Sequence, residues 1–191
     1  MRKKKRRFVL KDMLIGTNVF LTSVKDDDID EIEKWFNNVE FLRYYDMIAA
    51  VPKSRRQVEN MIKDYQDSYE KYIFAIRDKK TEKIIGIAGF DEIISSNGTA
   101  TTFIGIGNNV YKGKGYGKES MMLLLDYGFN ELNFYKIQLN VIAYNGAAIK
   151  LYEKLGFMRE GTYREFILRD GKRYDMYLYG LLRSEWLALN S

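Results

Sequence analysis

The amino-acid sequence predicts an α/β (α+β) fold, a mixed, mostly antiparallel sheet of about seven strands flanked by helices. Strand and helix periodicities alternate along the chain with no internal repeat, and short turn signals separate one strand from the next. The composition, 46% apolar and 15% aromatic over 191 residues, supplies one ordinary core.

The elements follow in chain order. "LIGTNVFLTSV" (14–24) reads as a strand, and "DDDIDEIEKWFNN" (26–38) as a helix whose opening acids suit its N-terminal dipole. "VEFLRYYDMIAAVPK" reads as a linker, and it contains Pro52, the only proline. Ser54 then caps a helix with Val58, Met61, Ile62 and Tyr65 along one stripe. "YIFAIRD" (72–78) and "KIIGIAGFDEI" (83–93) form a hairpin around a charged turn, and "TTFIGIG" (101–107) is the next strand. A helix from about Gly117 to Leu132 follows the segment "YKGKGYGKES". "KIQLNVIAY" (136–144) alternates, with Ile137, Leu139, Val141 and Ala143 on one face. A short helix from Gly146 to Leu155 is ended by Gly156, and "TYREFILRDGKRYDMYLYGLL" closes the chain as two strands around Asp170–Gly171.

Composition excludes much chemistry. With no cysteine and no histidine, the chain has no thiolate nucleophile, no disulfide and no histidine-based triad. No metal is expected. The formal charge is +5, yet Arg2, Lys3, Lys4, Lys5, Arg6 and Arg7 account for all of the excess, so the remainder is close to neutral. No apolar run approaches membrane-spanning length, and "FVL" is too short for a signal-peptide core. A cytoplasmic protein with no membrane association is the expectation. Residues 1–13 read as a basic tail and 14–191 as a single domain.

The segment Lys112–Gly113–Lys114–Gly115–Tyr116–Gly117–Lys118 lies between a strand and a helix. Successive backbone N–H groups in such a loop form an anion-binding concavity, and the helix N-terminus adds partial positive charge. A Walker loop would need glycine at Lys112 and a hydroxyl at Glu119. A dinucleotide fingerprint would need Gly-x-Gly-x-x-Gly, whereas this chain has Gly113-x-Gly115-x-Gly117, and "AYN" ends the following strand without a ribose-binding acid.

A third pattern fits. "KGKGYG" resembles the pyrophosphate loop of the GNAT acetyltransferases, Arg/Gln-x-x-Gly-x-Gly/Ala, with Lys112 in the first place and Gly115 and Gly117 in the small positions. "NGAAIKLYEKLGFMREG" (145–161) is similar to that family's Asn-x-x-Ala-x-x-x-Tyr-x-x-x-Gly-Phe segment, and "YDMYLYGLLRSEW" to the branch of ribosomal-protein N-terminal and spermidine-type acetyltransferases. Asn145, Ala148 and Tyr152 share one helical stripe on spacing alone, and Ala148, Leu151, Tyr152 and Leu155 could equally form a core face.

The resemblance implies a GNAT-like domain over 14–191, splayed between its fourth and fifth strands. It implies acetyl-CoA as co-substrate, with pantetheine along Ile104, Gly105 and Ile106 and pyrophosphate on residues 112–118. The thioester would lie near Asn145, Ala148 and Tyr152, with Tyr152 donating a hydrogen bond to the departing thiolate. An amine acceptor needs a base, which without histidine is a carboxylate, a water relay or solvent. Asp91 and Glu92 are candidates by position. Tyr44, Tyr45 and Asp46 could shape an amine pocket or simply pack. The acceptor stays open among a polyamine, a protein N-terminus, an amino sugar and an antibiotic amine, and the branch admits a ribosomal or other protein substrate and a homodimer. Two other classes stand beside the enzyme: a non-catalytic coenzyme A sensor, and a ribosome- or nucleic-acid-binding protein working through the basic tail.

Overall fold

The computed structural model describes residues 12–190, so the basic run Arg2–Arg7 lies outside the described residues. The strands are β1 (Val19–Thr22), β2 (Tyr72–Asp78), β3 (Ile84–Ile94), β4 (Thr99–Ile106), β5 (Lys136–Ile142), β6 (Met158–Arg169) and β7 (Lys172–Leu182). The α-helices are α1 (Ile29–Phe36), α2 (Val39–Tyr45), α3 (Arg55–Gln66), α4 (Tyr116–Asn130), α5 (Gly146–Lys154) and α6 (Arg183–Asn190). The seven strands form one sheet in the order β1-β2-β3-β4-β5-β7-β6, antiparallel at every junction except β4–β5.

Strand alternation sends side chains to two main clusters, one on each face, beside a small one of Ile142, Ile167 and Met176. Phe90, Met121, Leu125, Phe129, Leu139 and Trp186 pack with α4, α5 and α6. Ile32, Phe36, Phe41, Val58, Ile62 and Ile87 pack with α1, α2 and α3. On the second face Arg77 of β2 donates to Asp28 at 2.6 Å and to Thr22 at 2.9 Å, both members of the ion pair being buried.

Four elements differ from the sequence expectation. The strand expected over 14–24 is cut to Val19–Thr22, because the chain doubles back at Gly16 and Ile15 bridges Phe20. The expected linker contains α2, capped by the Asn38 side chain, which accepts from the Phe41 N–H at 3.2 Å. β6 begins at Met158, and α6 follows β7 directly, with the Glu185 carboxylate accepting from the Leu182 N–H at 2.8 Å. The Asp170–Gly171 turn is as expected, both residues at positive φ, joining Arg169 to Lys172.

Candidate active site

The two middle strands barely touch. β4 and β5 pair only at Thr99↔Lys136, Ala100↔Ile137 and Thr101↔Gln138, and beyond these the strands diverge into a V. β4 stays paired with β3 as far as Ile106, so residues 102–106 keep one unpaired edge. Such an edge is a template for an extended ligand, and Ile104, Gly105 and Ile106 lie along it. Aromatic rings fix the strand from the α1–α3 face. A Cβ at Gly107 would lie 2.0 Å from the Trp35 ring, so only glycine admits this close approach.

The glycine loop closes the mouth of the V. A 3-10 turn, Asn109–Tyr111, is capped by the Asn108 side chain, which accepts from Val110 N–H at 3.0 Å. The chain then passes through Gly113 (φ +73°) and Gly115 (φ +89°), the second being the N-cap of α4. No heavy atom lies within 4 Å of a Cβ built at either position, so the loop borders open space. The first-turn N–H groups of Tyr116, Gly117 and Lys118 have no carbonyl within the helix to bind. Lys112, Lys114 and Lys118 are exposed around them.

The loop's neighbours are engaged elsewhere. The Tyr116 hydroxyl donates to Asp78 at 3.1 Å. Glu119, which would repel an anion, instead accepts from the Asn18 N–H and side-chain amide at 2.8 and 2.9 Å, anchoring α4 to the start of β1. The sequence gives no local signal for that anchor, since the partners lie 101 residues apart.

Across the V, the Asn145 oxygen caps α5 by accepting from the Ala148 N–H at 3.2 Å. Its side-chain amide donates to the Tyr44 carbonyl at 3.4 Å, tying α5 to the end of α2. Tyr152 is buried in the α4–α5 cluster, edge-on to Phe157 with ring centroids 5.8 Å apart. Its hydroxyl has no hydrogen-bond partner among the described residues, and burial pushes its pKa up to about 12. At neutral pH it is therefore a donor without an acceptor.

The opposite face holds Asp91 and Glu92. Asp91 pairs in register with Thr101, the last β4 residue bonded to β5, at the floor of the V. The half-buried Asp91 carboxylate accepts from the Tyr65 hydroxyl of α3 at 3.1 Å, and its pKa is raised by burial. Glu92 stands at φ +47° beside a break in the β3–β4 register, and its exposed carboxylate accepts from the Thr101 hydroxyl at 2.8 Å. The Gln138 amide donates to the same hydroxyl at 3.3 Å. Tyr65 also meets Phe103, on the splayed part of β4, at 5.5 Å between ring centroids. Of the expected amine-pocket residues, Tyr45 stacks on Phe41 at 5.1 Å and meets Phe36 at 5.4 Å, which is packing, while Tyr44 is exposed and edge-on to Tyr144. Asp46 accepts from the Ile48 N–H at 3.3 Å.

Among the described residues, no helix is long and apolar enough to cross a membrane.

The model of the family described as Acetyltransferase (GNAT) domain matches residues 18–158. Among curated proteins, the chain is 31% identical over 176 residues to the Uncharacterized N-acetyltransferase p20 of Bacillus licheniformis, covering 92% of this chain and 98% of that protein. It is 26% identical over 173 residues to the spermidine N(1)-acetyltransferase of Vibrio cholerae, covering 91% and 98% respectively. Among solved structures, spermidine N-acetyltransferase from Vibrio cholerae in complex with CoA and spermine superposes with a TM-score of 0.82. The identity there is 26%, over 90% of this chain and 99% of that one.

Proposed function

Because the chain belongs to the acetyltransferase (GNAT) family, we propose that it transfers the acetyl group of acetyl-CoA to a primary amine of a small polyamine-like acceptor. The observation that carries the reading is the V between β4 and β5, with an open glycine loop and a helix N-terminus at its mouth. That arrangement offers backbone donors and three lysines to a pyrophosphate, and an unpaired strand edge to an extended amide-bearing arm. The relatives' names support the acceptor class: one is a spermidine N(1)-acetyltransferase and one was solved with CoA and spermine.

The reaction follows from the two faces. The neutral amine attacks the thioester carbonyl, the C–N bond forms, and the C–S bond breaks to release the thiolate. A free thiol titrates near 8.5, far below the Tyr152 phenol at about 12. Complete proton transfer from Tyr152 to the thiolate is therefore uphill, and its part is a hydrogen bond to negative charge as it develops on sulfur. Asn145 holds α5 in place and so sets where Tyr152 stands. Lys112, Gly113, Lys114, Gly115, Tyr116, Gly117 and Lys118 would hold the pyrophosphate, and Ile104 to Ile106 the pantetheine.

The test is turnover: acetyl-CoA with a panel of spermidine, an N-terminal peptide amine, an amino sugar and an aminoglycoside, read by thiol release. Release with spermidine well above the other three is expected. Release only with the peptide would move the acceptor to protein N-termini, and binding of acetyl-CoA without release from any amine would replace the enzyme with a sensor.

A further inference from the structure

The acetyl-transfer reading leaves one step without a residue. A primary amine arrives as an ammonium at neutral pH and must lose a proton before it can attack. On the α4–α5 face Tyr152 is protonated at neutral pH, and the carboxylates of Glu119 and Glu153 are already engaged by Asn18 and by the Tyr179 hydroxyl. Asp91 and Glu92 stand on the other face of the sheet, at the floor of the V.

Two carboxylates share that floor and differ in what they do. Glu92 is exposed, and its carboxylate binds the Thr101 hydroxyl. Asp91 is half-buried and, among the described residues, its carboxylate holds a single hydrogen bond, from the phenol of Tyr65. Tyr65 in turn lies edge-on to Phe103, so its ring bridges Asp91 to the part of β4 that has left β5. We propose that Asp91, rather than Glu92, takes the proton from the acceptor ammonium, and that Tyr65 is the residue that positions it. This deepens the acetyl-transfer reading and rests on it.

The step balances. One N–H bond of the ammonium breaks and an O–H bond forms on Asp91, leaving a neutral amine. After attack, the second proton lost from nitrogen passes through water to the thiolate. Asp91 returns its proton to solvent, and the sum is amide, thiol and one proton. The aromatic surroundings suit the incoming cation, because ring faces attract an ammonium. The Lys71 ammonium already sits 5.7 Å from the Tyr65 ring centroid.

The groups facing Asp91 set the sign of its pH dependence. Burial raises its pKa, the Tyr65 hydroxyl lowers it, Glu92 raises it, Lys71 lowers it and Asp46 raises it. Tyr65 favours the charged form by donating to it. Replacing Tyr65 by phenylalanine must therefore raise the pKa of Asp91, and the acidic limb of the rate profile should move to higher pH.

The experiment is single-turnover acetylation with saturating acetyl-CoA across pH, comparing spermidine with methoxyamine, an amine already neutral at pH 7. Asp91→Asn should slow transfer to spermidine by about a hundred- to ten-thousandfold, the range of a positioned general base. Transfer to methoxyamine should fall far less, because that acceptor has no proton to surrender before attack. Tyr65→Phe should move the acidic limb upward. An Asp91→Asn variant near wild type with spermidine, or one equally impaired with both amines, overturns the proposal. Should that variant not fold, Tyr65→Phe decides alone, and an unmoved limb overturns it. If wild type acetylates no amine while acetyl-CoA still raises its melting temperature, the transfer reading itself falls and takes this step with it.

Discussion

The two faces of the sheet are built by different means. The groups assigned to the acetyl donor come from three continuous segments, residues 104–106, 112–118 and 145–152, each arranged by one strand, one loop or one helix. On the α1–α3 face, the groups around the floor of the V come from four places: Tyr65 on α3, Asp91 and Glu92 on β3, Phe103 on β4 and Gln138 on β5. The first face is a local construction that can be read as a motif. The second exists only once distant strands meet, so its identity can change by single substitutions while the donor site stays constant.

The largest effect should come from breaking what holds the second face together. Asp28→Ala leaves Arg77 buried without its partner, and chemical denaturation should report a loss of about 3–5 kcal/mol. A loss below about 1 kcal/mol, the range of exposed pairs, would mean that the face does not depend on this pair. Next comes the chemistry of the first face. Tyr152→Phe keeps the packing against Phe157 and removes one hydroxyl, so single-turnover transfer should slow by roughly ten- to a thousandfold. Coenzyme A affinity should hold. A rate within roughly twofold of wild type, small beside that general-acid range, would return Tyr152 to a core role.

A smaller change tests the loop. Acetyl-CoA at a hundred times its Kd should stabilise wild type by about 2.7 kcal/mol, and Gly115→Asp should abolish that gain. The variant sets a carboxylate in the open space beside the loop and forces a side chain to φ +89°. Unchanged ligand stabilisation would take the pyrophosphate away from this loop. Smallest of all is the effect of deleting residues 2–7, which should leave transfer to a small amine unchanged at moderate salt, where steering is screened. A large fall in rate would bring the tail into the site.

Legibility in the sequence followed the same division. The succession of most elements along the chain, the Asp170–Gly171 turn, the strand–glycine loop–helix segment and the short helix carrying Asn145 and Tyr152 could all be read, because each depends on neighbours within a few residues. α2 was hidden because Tyr44 and Tyr45 read as a pocket in a linker, though Asn38 ahead of Phe41 and Leu42 is a capping signal. α6 was hidden because the helix after the closing strand has only eight residues, Arg183–Asn190, too few to show a helical period. Asp91 and Glu92 were adjacent and equivalent by position. Only the register break and the positive φ at Glu92 separate them, sending one carboxylate to Thr101 and leaving the other with Tyr65. The anchor from Glu119 to Asn18 and the closeness of Trp35 to Gly107 likewise belong to tertiary approach, which no local pattern encodes.

The three-pair ladder between β4 and β5 has a consequence for amide exchange. Alternate N–H groups along β4 from Thr102 to Ile106 point away from β3, toward a neighbour that has already diverged. These amides should trade hydrogen for deuterium at the rate of exposed backbone, in the middle of a seven-stranded sheet, while their alternates toward β3 remain slow. A ligand lying along that edge would supply the missing carbonyl partners. The isotope pattern along five residues thus reports, amide by amide, whether the cleft is filled.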